Sequence, residues 1–348
     1  MKTVILFGGS SSERLVSVAS AQNVSAQLPE ARCWFITRLG AVFDIAPAYL
    51  AAHQKPFQVE FVPFERVPTW LTLDAAIHQA KSEDADTVFF LALHGGDGEN
   101  GVTQKLLESH AVAFTGSGSR ASADAFDKAR AKELAAAKGA RIAEAVSFPP
   151  LSVDVARKEL TALLARAPRW VLKPQQDGSS HGLIHLRSAE DLESAATALA
   201  GFALPYLAEM FVAGRELTVG VVDERGGKCG ALPVSEVKLI PGGAFDYEGK
   251  YLGRGTEEIT PAALSAEEWK AAQDLGVLTH QAVGCFGYSR TDMILTPEGP
   301  VLLEINTLPG MTKASFIPQQ LAVADRSVKS FLELQLELAR TRRDAGTR

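Results

Sequence analysis

At 348 residues, 46 % of them apolar and 22 % charged, the chain has ample material for a core, and its length predicts two or three domains. A net charge of −6 gives no electrostatic reason for nucleic acid or an anionic membrane as main partner, and no apolar run is long enough to span a bilayer. Cys33, Cys229 and Cys285 are odd in number and lack metal-like spacing, so reduced core thiols are expected.

After Met1-Lys2 the apolar run ends within a few residues in a glycine turn, which is a first strand rather than a signal peptide, and a cytoplasmic location is expected. A strand over 4–7 leads through Gly8-Gly9-Ser10-Ser11-Ser12-Glu13 into a helix over 14–28. Such a turn is an anion site, because the free N–H groups of the helix start point outward. The fingerprint G-x-G-x-x-G is absent, which argues against a nicotinamide dinucleotide. Taken alone, Glu13 reads as a carboxylate that suits the helix dipole.

Strands over 32–37 and 87–93 alternate with a helix over 73–81, a rhythm that implies an open parallel sheet. The second strand runs into His94-Gly95-Gly96-Asp97-Gly98-Glu99-Asn100-Gly101, and glycines at a strand's carboxyl end mark where such sheets bind ligands. His94 is either a ligand contact or a hydrogen-bonded structural residue. A helix over 104–110 and a linker over 114–119 follow.

Next comes one alanine-rich helix over 121–138 carrying Asp127-Lys128. A strand over 169–174 presents Lys173 before the polar loop 175–182, whose N–H and hydroxyl groups can close over phosphates, and the chain returns as a strand over 183–186. This is not a Walker loop. His181 and His185 sit four apart in a strand, roughly 13 Å from each other, so no zinc pair is expected. A capped helix over 188–199, strands over 206–212, 216–222 and 229–239, and a glycine-rich lid over 240–256 come next. A long helix over 265–285 precedes the most informative stretch. A last helix over 327–342 ends in a frayed tail over 344–348.

In that stretch two apolar-rich runs flank Thr296-Pro297-Glu298-Gly299-Pro300, a β-hairpin with a loop longer than two residues. With an odd loop, Asp292 faces Glu304 and Arg290 faces Asn306 on one side of the sheet. Two carboxylates and an amide oxygen, with no His or Cys, suit Mg²⁺ that shares its shell with phosphate and water. Spacing alone leaves open a cross-strand ion pair on a solvated face.

Several motifs in one order make the resemblance specific. Gly8 to Ser17, His94 to Gly101, Asp127-Lys128, Lys173 to Ser180, Tyr247-Glu248-Gly249-Lys250-Tyr251, Arg290-Thr291-Asp292 and Glu304 to Ser315 together resemble the D-alanine–D-alanine ligase family of ATP-grasp enzymes, over nearly the whole chain. The resemblance implies an α/β (α+β overall) ATP-grasp fold: an open α/β domain over 1–118 holding the first substrate subsite, a central grasp domain over 119–210, and a mainly antiparallel sheet domain over 211–348 with lid and metal site. It implies ATP-dependent joining of two D-alanines through an acyl phosphate, for peptidoglycan precursors, by a homodimer using ATP and two Mg²⁺ ions, with Mn²⁺ able to substitute. A different acceptor (D-lactate, D-serine or another amino acid) or a non-catalytic nucleotide-binding sensor are the rival implications. Tyr251 in the lid looks like the dipeptide-forming type.

By the same resemblance, Lys128, Lys173, Ser179, Ser180 and Lys250 would contact phosphates, Glu209 the adenine side and Glu216 the ribose. Asp292, Glu304 and Asn306 would hold the metals. Glu13 would take the first substrate's ammonium, with Val16 and His94 lining that subsite. Arg290 and the Gly310 N–H would stabilise the oxyanion, Ser315 would bind the acceptor's carboxylate, and Ser179, Tyr251 and Glu13 would close the lid over it. Gly249, Met210 and Asn100 depart from the residues more usual in the family.

Overall fold

The computed structural model describes residues 2–178, 182–239 and 256–345. Among these residues three sheets organise the fold. In the first, β1 (Thr3–Gly8), β2 (Arg32–Ile36), β3 (Val42–Ile45), β4 (Val88–Leu91) and β5 (Ala113–Phe114) run in the order β3-β2-β1-β4-β5, parallel except for β3. All six residues of β1 are buried, as a central parallel strand covered on both faces requires. Helix α1 (Arg14–Gln27) packs against it, and α2 (Pro47–Ala52), α3 (Leu73–Glu83) and α4 (Val102–Ser109) complete the unit. The antiparallel edge strand β3 was not expected from the sequence; a tight turn places it back on β2, and Trp34 and Trp70 stack at 4.5 Å between ring centroids beside it.

The single helix expected over 121–138 is two: α5 (Ser119–Phe126) and α6 (Lys128–Ala136). Asp127 breaks it, taking an extended backbone (φ −84°, ψ 102°) from which its carboxylate accepts the Arg130 N–H at 3.0 Å. An aspartate that can cap a helix competes with continuing one.

The second sheet is antiparallel, with β6 (Ala145–Phe148), β7 (Trp170–Pro174), β8 (Ile184–Leu186) and β9 (Tyr206–Met210) in the order β6-β9-β7-β8. Helices α7 (Val153–Arg166) and α8 (Leu192–Ala200) close its core on Leu160, Trp170 and Tyr206.

In the third, β10 (Arg215–Asp223) is flanked by β12 (Ser235–Leu239) and β14 (Tyr288–Thr296), with β13 (Thr256–Ile259) and β15 (Gly299–Asn306) at the edges and the short β11 (Cys229–Ala231) on the far end of β10. The strand expected over 229–239 is interrupted at Leu232-Pro233-Val234, where proline cannot donate to the ladder. Helix α9 (Ala266–Val283) opens with a reciprocal cap between Ser265 and Glu268 and packs on this sheet. The β14–β15 hairpin turns in two residues, since Thr296 pairs with Gly299, and not through the longer loop expected. The odd residue sits instead at Leu303, a bulge opposite the Asp292–Met293 step, so Asp292 still faces Glu304 and Arg290 faces Asn306.

After the hairpin come α10 (Phe316–Val323) and α11 (Val328–Asp344). Phe331, Leu332 and Leu336 of α11 join the core of the first sheet together with Phe89 and Phe90. Among the described residues no helix is long and apolar enough to cross a membrane.

Candidate active site

One cleft opens where the three sheets meet. Glu13 reaches it from the start of α1, Lys128 from α6, and Arg290, Glu304 and Asn306 from the hairpin, while Gly310 and Ser315 close it from the loop that follows. Residues nearly three hundred positions apart in sequence thus share one wall.

On the hairpin, Arg290 grips Asp292 with two hydrogen bonds, Nε to Oδ1 at 2.9 Å and Nη2 to Oδ2 at 2.7 Å. The Thr218 hydroxyl, opposite on β10, donates to the same carboxylate. Lys128 lies 3.6 Å from Glu304 and donates to the backbone carbonyl of Asp177. Asn306 Oδ1 accepts the Leu308 N–H at 2.8 Å. The described residues contain no group of three His, Cys, Asp or Glu side chains fit to hold a metal. The hairpin instead offers two carboxylates and an amide oxygen on one face, which fits a hard divalent ion completed by phosphate and water.

Behind the hairpin lies a buried row of charges. Lys132 and Lys173 pair with opposite oxygens of Glu209, and Lys132 also donates to Leu302 O at 2.8 Å. Burial lowers the Lys132 ammonium to about 8, with Glu209 opposing and Lys173 reinforcing the fall. Burial acts the same way on Lys173, but Glu209, Glu304 and Glu216 outweigh it and hold that ammonium above its ordinary value. Glu209 is pushed up by burial and pulled further down by Lys173 and Lys132, so it stays ionised. Lys132 was not singled out in the sequence, although it lies one helical turn beyond Lys128 on the same face.

Glu13 is 8 % exposed and its carboxylate sits between two glycines: a Cβ on Gly95 or on Gly178 would stand 2.7 Å from Oε2. Glu99 lines the same cleft, and burial first, then the charge of Glu13, raise its pKa against the opposing pull of His94. His94 itself is buried, with Nδ1 2.9 Å from Leu308 O and Nε2 2.8 Å from Ser20 Oγ. Both ring nitrogens are therefore engaged by protein. Val16 is 1 % exposed in the interior and is not part of the cleft wall. Ser179, Ser180, Lys250 and Tyr251 lie outside the described residues, as does nearly all of the expected lid.

The loop after β15 is selective in its N–H groups. Leu308 N–H goes to Asn306, Pro309 has none, Met311 N–H goes to Ser20 Oγ at 3.2 Å and Thr312 N–H to Ser315 Oγ at 3.1 Å. Among the described residues only Gly310 N–H in this run has no protein acceptor. A Cβ at Gly310 would fall 2.6 Å from Ser315 Oγ, so only glycine brings the backbone this close.

Known proteins resemble the chain over nearly its whole length. A family model described as D-ala D-ala ligase N-terminus matches residues 2–117, and one described as D-ala D-ala ligase C-terminus matches residues 157–334. The D-alanine–D-alanine ligase of Leptospira interrogans serovar Lai is 34 % identical, with 97 % of each chain covered. Among solved structures, the VanG D-Ala:D-Ser ligase from Enterococcus faecalis superposes with a TM-score of 0.78 at 26 % identity, covering 97 % of this chain and 99 % of that one. The D-alanine–D-alanine ligase from Coxiella burnetii shares the fold at a TM-score of 0.79 and 22 % identity, over 99 % of this chain and 95 % of that one. With two consecutive family models and a full-length relative in agreement, the chain belongs to the D-alanine–D-alanine ligase family and carries its ATP-grasp fold.

Proposed function

We propose that the protein is an ATP-dependent ligase that joins two D-alanines into D-alanyl-D-alanine, the dipeptide used in peptidoglycan precursors. One observation carries the reading: a single cleft brings Arg290, Glu304 and Asn306, with Asp292 paired across the hairpin to Glu304, together with Gly310 and Glu13. The first D-alanine sets its ammonium against Glu13, and one of its carboxylate oxygens attacks the γ-phosphorus of ATP. The bond from that phosphorus to the β-bridging oxygen breaks, leaving ADP and an acyl phosphate. The amine of the second D-alanine, having lost a proton, attacks the acyl carbon. Its carbonyl oxygen becomes an oxyanion that accepts from Gly310 N–H and Arg290, until the C–O bond to phosphate breaks.

Lys128 and Lys173 supply positive charge along the triphosphate, with Ser179, Ser180 and Lys250 as further phosphate donors, while Glu209 faces the adenine and Glu216 the ribose. Reaching phosphate requires Lys173 to loosen its hold on Glu209. Asp292, Glu304 and Asn306 would hold two Mg²⁺ ions, whose chemistry is to neutralise the phosphate oxygens as they transfer. Ser315, now bonded to Thr312, turns its hydroxyl to the acceptor's carboxylate, and Tyr251 closes over it from the lid. The working species is a homodimer, on the strength of the family resemblance.

Incubation with ATP, Mg²⁺ and a panel of D- and L-amino acids plus D-lactate, following phosphate release and product mass, tests this. Phosphate release with D-alanine and a product mass of D-alanyl-D-alanine is the expected result. A product mixture without that dipeptide rejects the assignment.

A further inference from the structure

Helix α1 carries a polar stripe on its buried face: Ser17, Ser20 and Asn23, each three residues from the next and none more than 9 % exposed. Buried hydroxyls and amides need partners, and each here ties down a different piece of backbone. Ser17 accepts from Gly8 N–H at 2.7 Å and donates to Ala92 O at 2.6 Å, pinning the ends of β1 and β4. Asn23 donates to Met311 O at 2.7 Å.

Ser20 is the middle of a directed relay. Leu308 O can only accept, so in the neutral imidazole His94 Nδ1 carries the ring proton and Nε2 is left as an acceptor. The Ser20 hydroxyl then donates to Nε2 at 2.8 Å and its oxygen accepts the Met311 N–H at 3.2 Å. His94 thus holds residue 308, and Ser20 with Asn23 holds residue 311 at both its N–H and its carbonyl. Between these anchors lies Gly310, whose N–H is the one in this run without a protein acceptor among the described residues.

We infer that Ser20 and Asn23 are positioning residues for the acyl-transfer step: with His94 they set the Gly310 N–H toward the carbonyl oxygen of the first substrate. The inference rests on the ligase reading above. It also explains why the anchors stand on this helix. Glu13, at the N-terminus of α1, takes the ammonium of the first amino acid, and that ammonium is one carbon away from the carboxyl carbon whose oxygen becomes the oxyanion. The ammonium site and the oxyanion donor must keep a fixed separation, and one rigid helix sets both.

The test uses the full chain with Ser20→Ala, Asn23→Ala and the double variant. Read-outs are kcat, KM for ATP and for the first D-alanine, the affinity of a phosphinate dipeptide analogue of the tetrahedral intermediate, and the thermal midpoint. In Ser20→Ala kcat falls by about tenfold or more, both KM values stay within about twofold, and the analogue weakens by the same factor as kcat. Asn23→Ala shows the same pattern, and the double variant loses less than the product of the two, because both act on one loop. Unchanged kcat and analogue affinity in the folded single variants would overturn the inference. So would a lower kcat with unchanged analogue binding per folded molecule, since that is lost active protein and not lost positioning. Wild-type product analysis separates the two levels: if the wild type forms no dipeptide the ligase reading fails, whereas a competent wild type with indifferent variants sinks only the positioning role.

Discussion

Replacing Lys132 by methionine probes the charges behind the hairpin. Lys132 is 2 % exposed, and methionine keeps most of its stem packing while removing one cation. Glu209 keeps Lys173 as a partner, so the variant is not left with an unpaired buried carboxylate. Burial, with Lys173 adding to it and Glu209 opposing, brings the Lys132 ammonium from the ordinary 10.5 down to about 8. Between those two pH values the unfolded chain holds a proton at this position that the folded chain has released. Stability therefore rises with pH through that window, by about 3 kcal/mol, and the gain is absent below it, where lysine is charged in both states. The variant has no such titration. Urea unfolding of both proteins from pH 7 to pH 10 should show wild type gaining on Lys132→Met as pH increases, most steeply above pH 8. A constant offset between the two across the range would refute the argument. So would wild type losing ground to the variant as pH rises, which would mean that the ion pair with Glu209 dominates over burial.

Glu304→Gln removes a carboxylate from the proposed metal face, and kcat in Mg²⁺ should fall by at least about a hundredfold with little change in thermal midpoint; wild-type turnover would count against that site. Asp127→Ala loses the cap on Arg130 N–H and the bonds from Gln175 Nε2 at 2.8 and 2.9 Å, so urea unfolding should register a loss of about 1–2 kcal/mol. Because Lys128 follows directly, the same variant should raise KM for ATP. Arg342 donates to Phe114 O and Gly116 O, both at 2.8 Å, and stacks over the rings of Phe114 and Phe286 at 4.5 and 4.4 Å. Arg342→Ala should cost about 3 kcal/mol, and Arg342→Lys should not restore it, because an ammonium cannot make the planar fork; a lysine variant that melts like wild type would contradict this.

How much of this was legible in the residues depended on whether a signal was local. The pairing of Asp292 with Glu304 could be read from strand periodicity, but the odd register comes from a bulge at Leu303 and not from a longer loop, and nothing in Val301-Leu302-Leu303 distinguishes the bulged residue. Asp127 was in view as half of a motif, yet alanine on both sides suggested one helix; the capping geometry that splits it depends on Gln175 reaching across from the next sheet. Edge strand β3, strand β6 and helices α7 and α10 went unrecognised because their short or mixed patterns gain definition from packing. Lys132 and the stripe Ser17–Ser20–Asn23 carried a faint signal, polar residues at helical spacing on a face that should be apolar. Their partners lie far off in sequence, and spacing cannot supply those.

The docking of α11 onto the first sheet has a consequence for how the protein is made. Phe89 and Phe90 leave the ribosome more than two hundred residues ahead of Phe331, Leu332 and Leu336, which share their core. During that interval the apolar surface lacks this cover, while the second sheet, whose core among the described residues draws on positions from 146 to 208, can already close. The middle of the molecule is thus free to fold before its beginning.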